Sequence, residues 1–194
     1  MSKYPSTDEK LLSAAIELMA EKGYDGTTTR EIAALAGVNE VTLFRHFGSK
    51  QKLLEAAFDR YHYADEMTKL FREQLTWDLK TDLLLISRTY HRIMNRNRKL
   101  IQIAHKAGNT LPDEVHRRAL RHPQQLKQLL TEYFTAMADR GHIIRSRPEL
   151  LALSFMWMNY GAFTSKLSDD PDSDVKLDDF IEESVMLFAR ALTP

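Results

Sequence analysis

The chain contains no cysteine, which excludes disulfides, thiolate metal sites, cysteine nucleophiles and thiol redox sensing. No run approaches 18 apolar residues, and the start, MSKYPSTDEK, is too polar for a signal peptide. The simplest expectation is a soluble cytoplasmic protein with no membrane partner. Excess charge is missing too: 27 basic residues balance 27 acidic ones, which argues against wholesale electrostatic adhesion to nucleic acid. There is no useful β-strand alternation, no internal repeat and no low-complexity tract. With 43 % apolar and 28 % charged residues over 194 positions, the chain has ordinary globular composition and enough length for one or two domains.

What the sequence does carry is helical period from end to end. Ser6 and Glu9 form a capping box after Pro5, and Leu11, Leu12, Ala15, Ile16, Leu18 and Met19 keep helical spacing until Gly23. Thr28 with Glu31 starts a second helix, and Gly37 stops it. Asn39 caps a third helix that ends at Gly48, and Ser49 caps a long fourth one through Leu53, Leu54, Ala57, Phe58 and Tyr61 to about Phe71. Beyond Trp77 the spacing predicts helices over about 79–94, 98–107, 112–121, 123–139, 148–166 and 177–192, broken at glycines and at Pro112, Pro123, Pro148 and Pro171. The predicted fold is all-α, with a three-helix domain over 1–50 and a larger helical domain over 51–194.

Residues 27–50 organise this reading. Two short helices joined by a glycine-containing turn form a helix-turn-helix, whose second helix normally enters the DNA major groove. Ile32, Ala33 and Ala36 share one face, and Val38, Leu43 and Phe47 supply the facing apolar side. Glu40, Thr42, Arg45 and His46 remain outward. Spacing alone leaves open an interior helical hairpin, or an adaptor that binds no DNA. Residues 1–50 carry six basic and seven acidic side chains, so a DNA surface must come from placement, with Glu17 and Glu21 turned away and Arg30, Arg45 and Lys50 near the reading helices. Lys3 is a phosphate candidate on a terminal arm.

The run T-x-R-E-I-A-x-x-A-G-V, then T-L-F-R-H-F, then S-K-x-x-L-L, resembles the DNA-binding domain of the tetracycline-repressor (TetR) family of bacterial transcriptional regulators over roughly residues 8–60. The resemblance implies DNA contacts by Thr42, His46 and Lys50, to phosphate or, for Thr42, a thymine methyl. It places Glu40 where the tetracycline repressor uses a base-reading glutamine, and a carboxylate there accepts from cytosine N4 while repelling phosphate. Arg45 is a guanine or phosphate contact, and Thr27, Thr28 and Arg30 hold the backbone, Thr28 being also a cap. Phe44 stands where tyrosine is usual and Val41 where glycine is common, which puts two apolar side chains on the DNA face. The resemblance further implies a homodimeric repressor on near-palindromic double-stranded DNA. A small-molecule effector would release it by displacing the helix after Ser49.

Two stretches of the body stand out. LLALSFMWMNYGAF, residues 150–163, is apolar nearly all round and must be buried on more than one face. With the final helix it supplies the dimer-interface candidates Ala162, Phe180, Val185 and Phe188, since the last two helices of the resembled family pair between subunits. Residues 88–127 carry ten basic and two acidic side chains, whereas 169–183 is acidic. This asymmetry fits either a solvated surface or the rim of a site for an anion such as an acyl thioester of coenzyme A. Candidate pocket residues on the earlier helices are Tyr90, Met94, Ile101 and His105. Further along are Tyr133, Phe134 and Met137, then Phe155, Trp157, Met158 and Tyr160. Core packing accounts for most of these equally well. For an enzyme there is no HExxH, P-loop, GxSxG or paired Glu-x-x-His motif; Asp59-x-x-His62 has no counterpart on another helix, and Asp139-x-x-His142 straddles Gly141. No cofactor is expected.

Overall fold

The computed structural model describes residues 5–60, 64–165 and 175–194. Lys3, Tyr61, His62 and the acidic residues Asp169, Asp170, Asp172 and Asp174 lie outside the described residues. Within these bounds the chain is all-α: α1 (Thr7–Lys22), α2 (Thr29–Leu35), α3 (Glu40–Phe47), α4 (Lys50–Arg60), α5 (Ala64–Glu73), α6 (Leu79–Arg96), α7 (Arg98–Ala107), α8 (Asp113–Asp139), α9 (Pro148–Thr164) and α10 (Leu177–Leu192). A short 3-10 turn over Gly108–Thr110 follows α7. By compactness the chain divides into a first unit, Met1–His62 with Asn97–Arg121, and a second unit, Tyr63–Arg96 with His122–Pro194.

Local chemistry sets the helix ends of the first unit. Both capping boxes form, Ser6 with Glu9 and Thr28 with Glu31. The Lys22 ammonium, 2.7 Å from the Glu31 carboxylate, joins the Thr28 backbone in holding that carboxyl down to about 2. Gly37 (φ +69°) and Gly48 (φ +76°) end α2 and α3 in the left-handed region that glycine tolerates. The Ser49 hydroxyl caps α4 by accepting from the Lys52 N–H at 3.1 Å. Asn39 departs from expectation: it has the extended backbone of an N-cap, yet its side chain makes no capping bond.

Leu11, Ala15 and Met19 of α1, Ile32 of α2, Leu43 of α3 and Leu53, Leu54 and Ala57 of α4 are fully buried in one cluster. Ile103 of α7 and Val115 of α8 belong to it as well. The helix-turn-helix is therefore braced by residues far along the chain as well as by α1. The sequence also predicts two helices flanking Pro123, but α8 runs unbroken from Asp113 to Asp139 with the proline inside it. Proline removes one backbone bond, and tertiary packing overrides that local cost. Leu126, Leu130, Tyr133, Phe134 and Met137 after it are all buried.

The second unit is tied at its α5–α6 loop by a carboxylate that no sequence motif marks. Asp82 is fully buried and accepts from the Thr76 N–H (2.8 Å), the Thr76 hydroxyl (2.9 Å), the Trp77 N–H (2.9 Å) and the Tyr133 hydroxyl (3.0 Å). Four donors to one carboxylate compensate its removal from water. They hold Trp77 at φ +65°, a left-handed conformation uncommon for so bulky a residue. The indole is stacked on Tyr133 with centroids 5.9 Å apart and has the Arg140 guanidinium over its ring at 3.5 Å. Burial, then the Asp82 charge, pushes the Tyr133 phenol well above its ordinary range. Farther in, Phe188 of α10 packs between Phe134 and Phe155, 6.0 and 5.6 Å from them.

Candidate nucleic-acid interface

α3 has only eight residues, too few to be stable alone, so its orientation comes from packing. Leu43 is fully buried and Phe47 packs partly buried against the same cluster. One turn of a helix cannot hide every side, so what Leu43 leaves outward is fixed: Val41 is 77 % exposed and Phe44 46 % exposed, with Arg45 and His46 exposed beside them and Thr42 half-buried. The surface combines two apolar side chains, suited to thymine methyl groups, with cationic and hydrogen-bonding ones suited to phosphate and base edges. Arg30 on α2 is also exposed, and neither it nor Arg45 has an ion pair among the described residues.

Three of the sequence candidates are held by residues from other elements. The Glu40 carboxylate accepts from the Thr29 hydroxyl at 2.5 Å, which fixes its direction at the start of α3. His46 Nδ1 lies 2.6 Å from an Asp8 carboxylate oxygen. An ionised carboxylate only accepts, so Nδ1 carries the proton in this bond and Nε2 is the atom left for a second partner. Lys50 is the largest departure from expectation. Its ammonium donates to the Tyr24 carbonyl (2.8 Å) and the Thr27 carbonyl (2.9 Å) and sits 4.2 Å above the Tyr24 ring. It clamps the α1–α2 loop to the start of α4, which leaves little of its donor capacity for phosphate.

Thr27 needs correction. Its side chain is buried and its hydroxyl donates to the Gly23 carbonyl at 2.8 Å, so it shapes the loop and does not reach the surface. Thr28 is exposed but engaged as the cap of α2. Asp8, Tyr24 and Thr29 were missed by sequence reasoning because their partners are distant in the chain. Of the acids expected to turn away, Glu17 pairs with Lys99 of α7, and Glu21 is exposed.

The structure separates the pocket candidates. Ile101 and His105 lie on α7 in the first unit, His105 exposed. The others lie in the second unit, where Tyr90, Met94, Tyr133, Phe134, Met137 and Phe155 are buried and Met158 and Tyr160 half-buried. Trp157 is 65 % exposed, so it does not line the interior. Among the interface candidates, Ala162 and Val185 are buried within their own unit, whereas Phe180 and Phe188 are half-buried, the Phe188 ring lying against Phe134 and Phe155. The reason is helical phase: Ile181, Val185, Ala189 and Leu192 form the inward stripe of α10. The outward apolar residues are instead Leu150 and Trp157 of α9 and Leu187 of α10, the last 66 % exposed.

The basic stretch over 88–127 is largely neutralised. In the second unit Arg88 pairs with Asp178 and Glu182, and Arg92 and Arg96 with Glu66. In the first unit Arg117 pairs with Glu114, Arg118 with Glu55, Asp59 and Glu114, and the Lys106 ammonium donates to the Ala20 carbonyl. The sequence asymmetry thus becomes a set of ion pairs, in keeping with a solvated surface.

Residues 11–57 match the family model of bacterial regulatory proteins of the tetR family. YvkB of Bacillus subtilis (strain 168), an uncharacterized HTH-type transcriptional regulator, is 32 % identical over 188 residues, which cover 96 % of this chain and 97 % of its own. IcaR of Staphylococcus aureus (strain Newman), the HTH-type negative transcriptional regulator of the biofilm operon icaADBC, is 23 % identical over 187 residues, covering 94 % and 98 %. Among solved structures, AibR in complex with isovaleryl coenzyme A and operator DNA superposes with a TM-score of 0.75 at 21 % identity, over 94 % of this chain and 97 % of that one.

The Lys50 clamp makes a prediction. Lys50→Ala removes a charged donor from two carbonyls and should lower the unfolding free energy by about 1–2 kcal/mol in urea denaturation. An unchanged midpoint would mean that the clamp adds nothing to stability.

Proposed function

Since the chain belongs to the tetR family of bacterial regulatory proteins, we propose that this transcriptional regulator is a ligand-responsive repressor, acting as a homodimer on a near-palindromic operator. Regulators of this family bind DNA and are not enzymes. The observation that carries the proposal is the outward face of α3, where Val41, Phe44, Arg45 and His46 stand exposed because Leu43 is buried. Residues 1–50 supply the DNA-binding part, and residues 51–194 the effector and dimerisation part. Arg30, Arg45 and His46 Nε2 meet phosphate or base edges, Glu40 and Thr42 read bases, and Val41 and Phe44 meet thymine methyls. Thr28 and Lys50 serve mainly by holding α2 and α4 in place. The site of action is cytoplasmic, where the operator is; no helix among the described residues is long and apolar enough to cross a membrane.

The exposed row of Leu150, Trp157 and Leu187 supports pairing with a second copy. Large apolar side chains left in water on neighbouring helices mark an interaction surface, and a two-fold dimer presents two reading helices to half-sites one helical turn or a multiple apart. The negative action of IcaR supports repression, and the ligand in AibR supports control by a small molecule. Release requires that the effector bind the non-binding geometry more tightly; a ligand indifferent to the two states shifts nothing.

Two measurements test this reading. Against a duplex selected from a random pool, Arg45→Ala should weaken binding and flatten the salt dependence by about one unit of slope, with thermal stability unchanged. An unaltered slope removes Arg45 from the phosphate contacts. Trp157→Glu with Leu187→Glu should sediment as a folded monomer, and persistence of a dimer would move the interface to another surface.

A further inference from the structure

α6 carries two polar side chains in an otherwise apolar stripe. Ser87 and His91 are one turn apart on the same side of the helix, with Leu83 and Met94 continuing the row before and after them, and all four are buried. The Ser87 hydroxyl and both ring nitrogens of His91 are buried, and no hydrogen bond of regular geometry to another protein group satisfies them. α9 packs against α6 and brings the buried Asn159 carboxamide within hydrogen-bonding reach of the imidazole, where it favours the protonated ring. The Asn159 amide N–H already donates to the Phe155 carbonyl at 2.9 Å. Burial outweighs that influence and holds the imidazole down to about 4, with no charged side chain contributing. At neutral pH the ring therefore offers one donor and one acceptor.

Buried polar atoms are ordinarily paired, and each exception calls for an explanation. Here a serine hydroxyl without a partner and an imidazole met only by the Asn159 carboxamide lie on one helix face, with apolar side chains around them. We propose that Ser87, His91 and Asn159 form the polar end of an effector site for a neutral molecule with an apolar body and one hydroxyl-like group, of which a phenol is the simplest member. Such a group donates and accepts at once, matching a neutral imidazole and a serine hydroxyl. A carboxylate or phosphate buried there would meet no cation and would lose its hydration uncompensated. The proposal rests on the reading of the chain as ligand-responsive and names the class of ligand.

The test uses the full chain with histidine ring nitrogens labelled, and compares phenol, toluene and benzoate at equal concentration by NMR, with His91→Phe identifying the His91 signals among those of the seven histidines. Phenol should move the His91 ring signals while toluene and benzoate leave them in place. Ser87→Ala should weaken phenol binding about tenfold, the worth of one buried hydrogen bond, without lowering the melting temperature, because it deletes a hydroxyl that has no partner. His91 signals unmoved by phenol, an equal response to toluene, or equal phenol affinity in Ser87→Ala would overturn the site; the first is also what a tightly held buried water would give. Duplex binding, measured in parallel, separates the two proposals. Phenol binding with unaltered DNA affinity would sink the effector reading and keep the site, whereas silence toward phenol with intact DNA binding would sink the site alone.

Discussion

Leu43, fully buried beneath α3, is the contact on which the DNA-facing geometry depends. The helix that carries it is too short to persist by itself, and a buried leucine of this kind is worth about 2–5 kcal/mol against alanine. Seating that side chain among Ile32, Met19 and Leu53 sets the rotation of α3 about its own axis. A rotation by one residue, about 100°, would turn Phe44 inward and carry Leu43 to the half-buried bearing of Thr42. The outward residues are thus a consequence of the inward one. Around this anchor, polar contacts fix finer detail: Thr29 aims Glu40, Asp8 fixes the tautomer of His46, and Lys50 secures the loop that delivers α2.

The second unit follows the same logic with a polar anchor. Asp82 gathers Thr76, Trp77 and Tyr133, and the stacked Trp77 and Arg140 close over that knot. Its buried carboxylate is fully partnered, in contrast with Ser87 and His91 a turn or two along the same helix. Within one helix, then, one polar group has a complete set of protein partners, whereas Ser87 and His91 lack well-formed ones. That difference separates a structural role from a binding role.

Much of the fold was legible in the sequence because its punctuation is local. A serine or threonine three residues before a glutamate, and glycines at Gly37 and Gly48, act within a turn of where they stand. Pro123 misled for the same reason: its local preference for a break was overruled by the buried residues that follow it. The site was legible as a set of outward residues on α3, but not in its bonding, since the partners of His46, Lys50 and Glu40 are 38, 26 and 11 residues away. Apolar patterning likewise marked α9 as buried on more than one face, without telling which face meets the protomer's own core. Val185 and Ala162 turn inward, while Trp157 and Leu187 turn out, and only the positions of the neighbouring helices decide between them.

In the proposed complex the polar and apolar edge of α3 lies against duplex DNA. Amide hydrogen exchange on the full chain, with and without a duplex selected from a random pool, examines it residue by residue. Added protection should concentrate over residues 39–48, with a smaller effect at the start of α2. Duplex binding that leaves α3 unprotected, or no binding to any duplex at low salt, would contradict it.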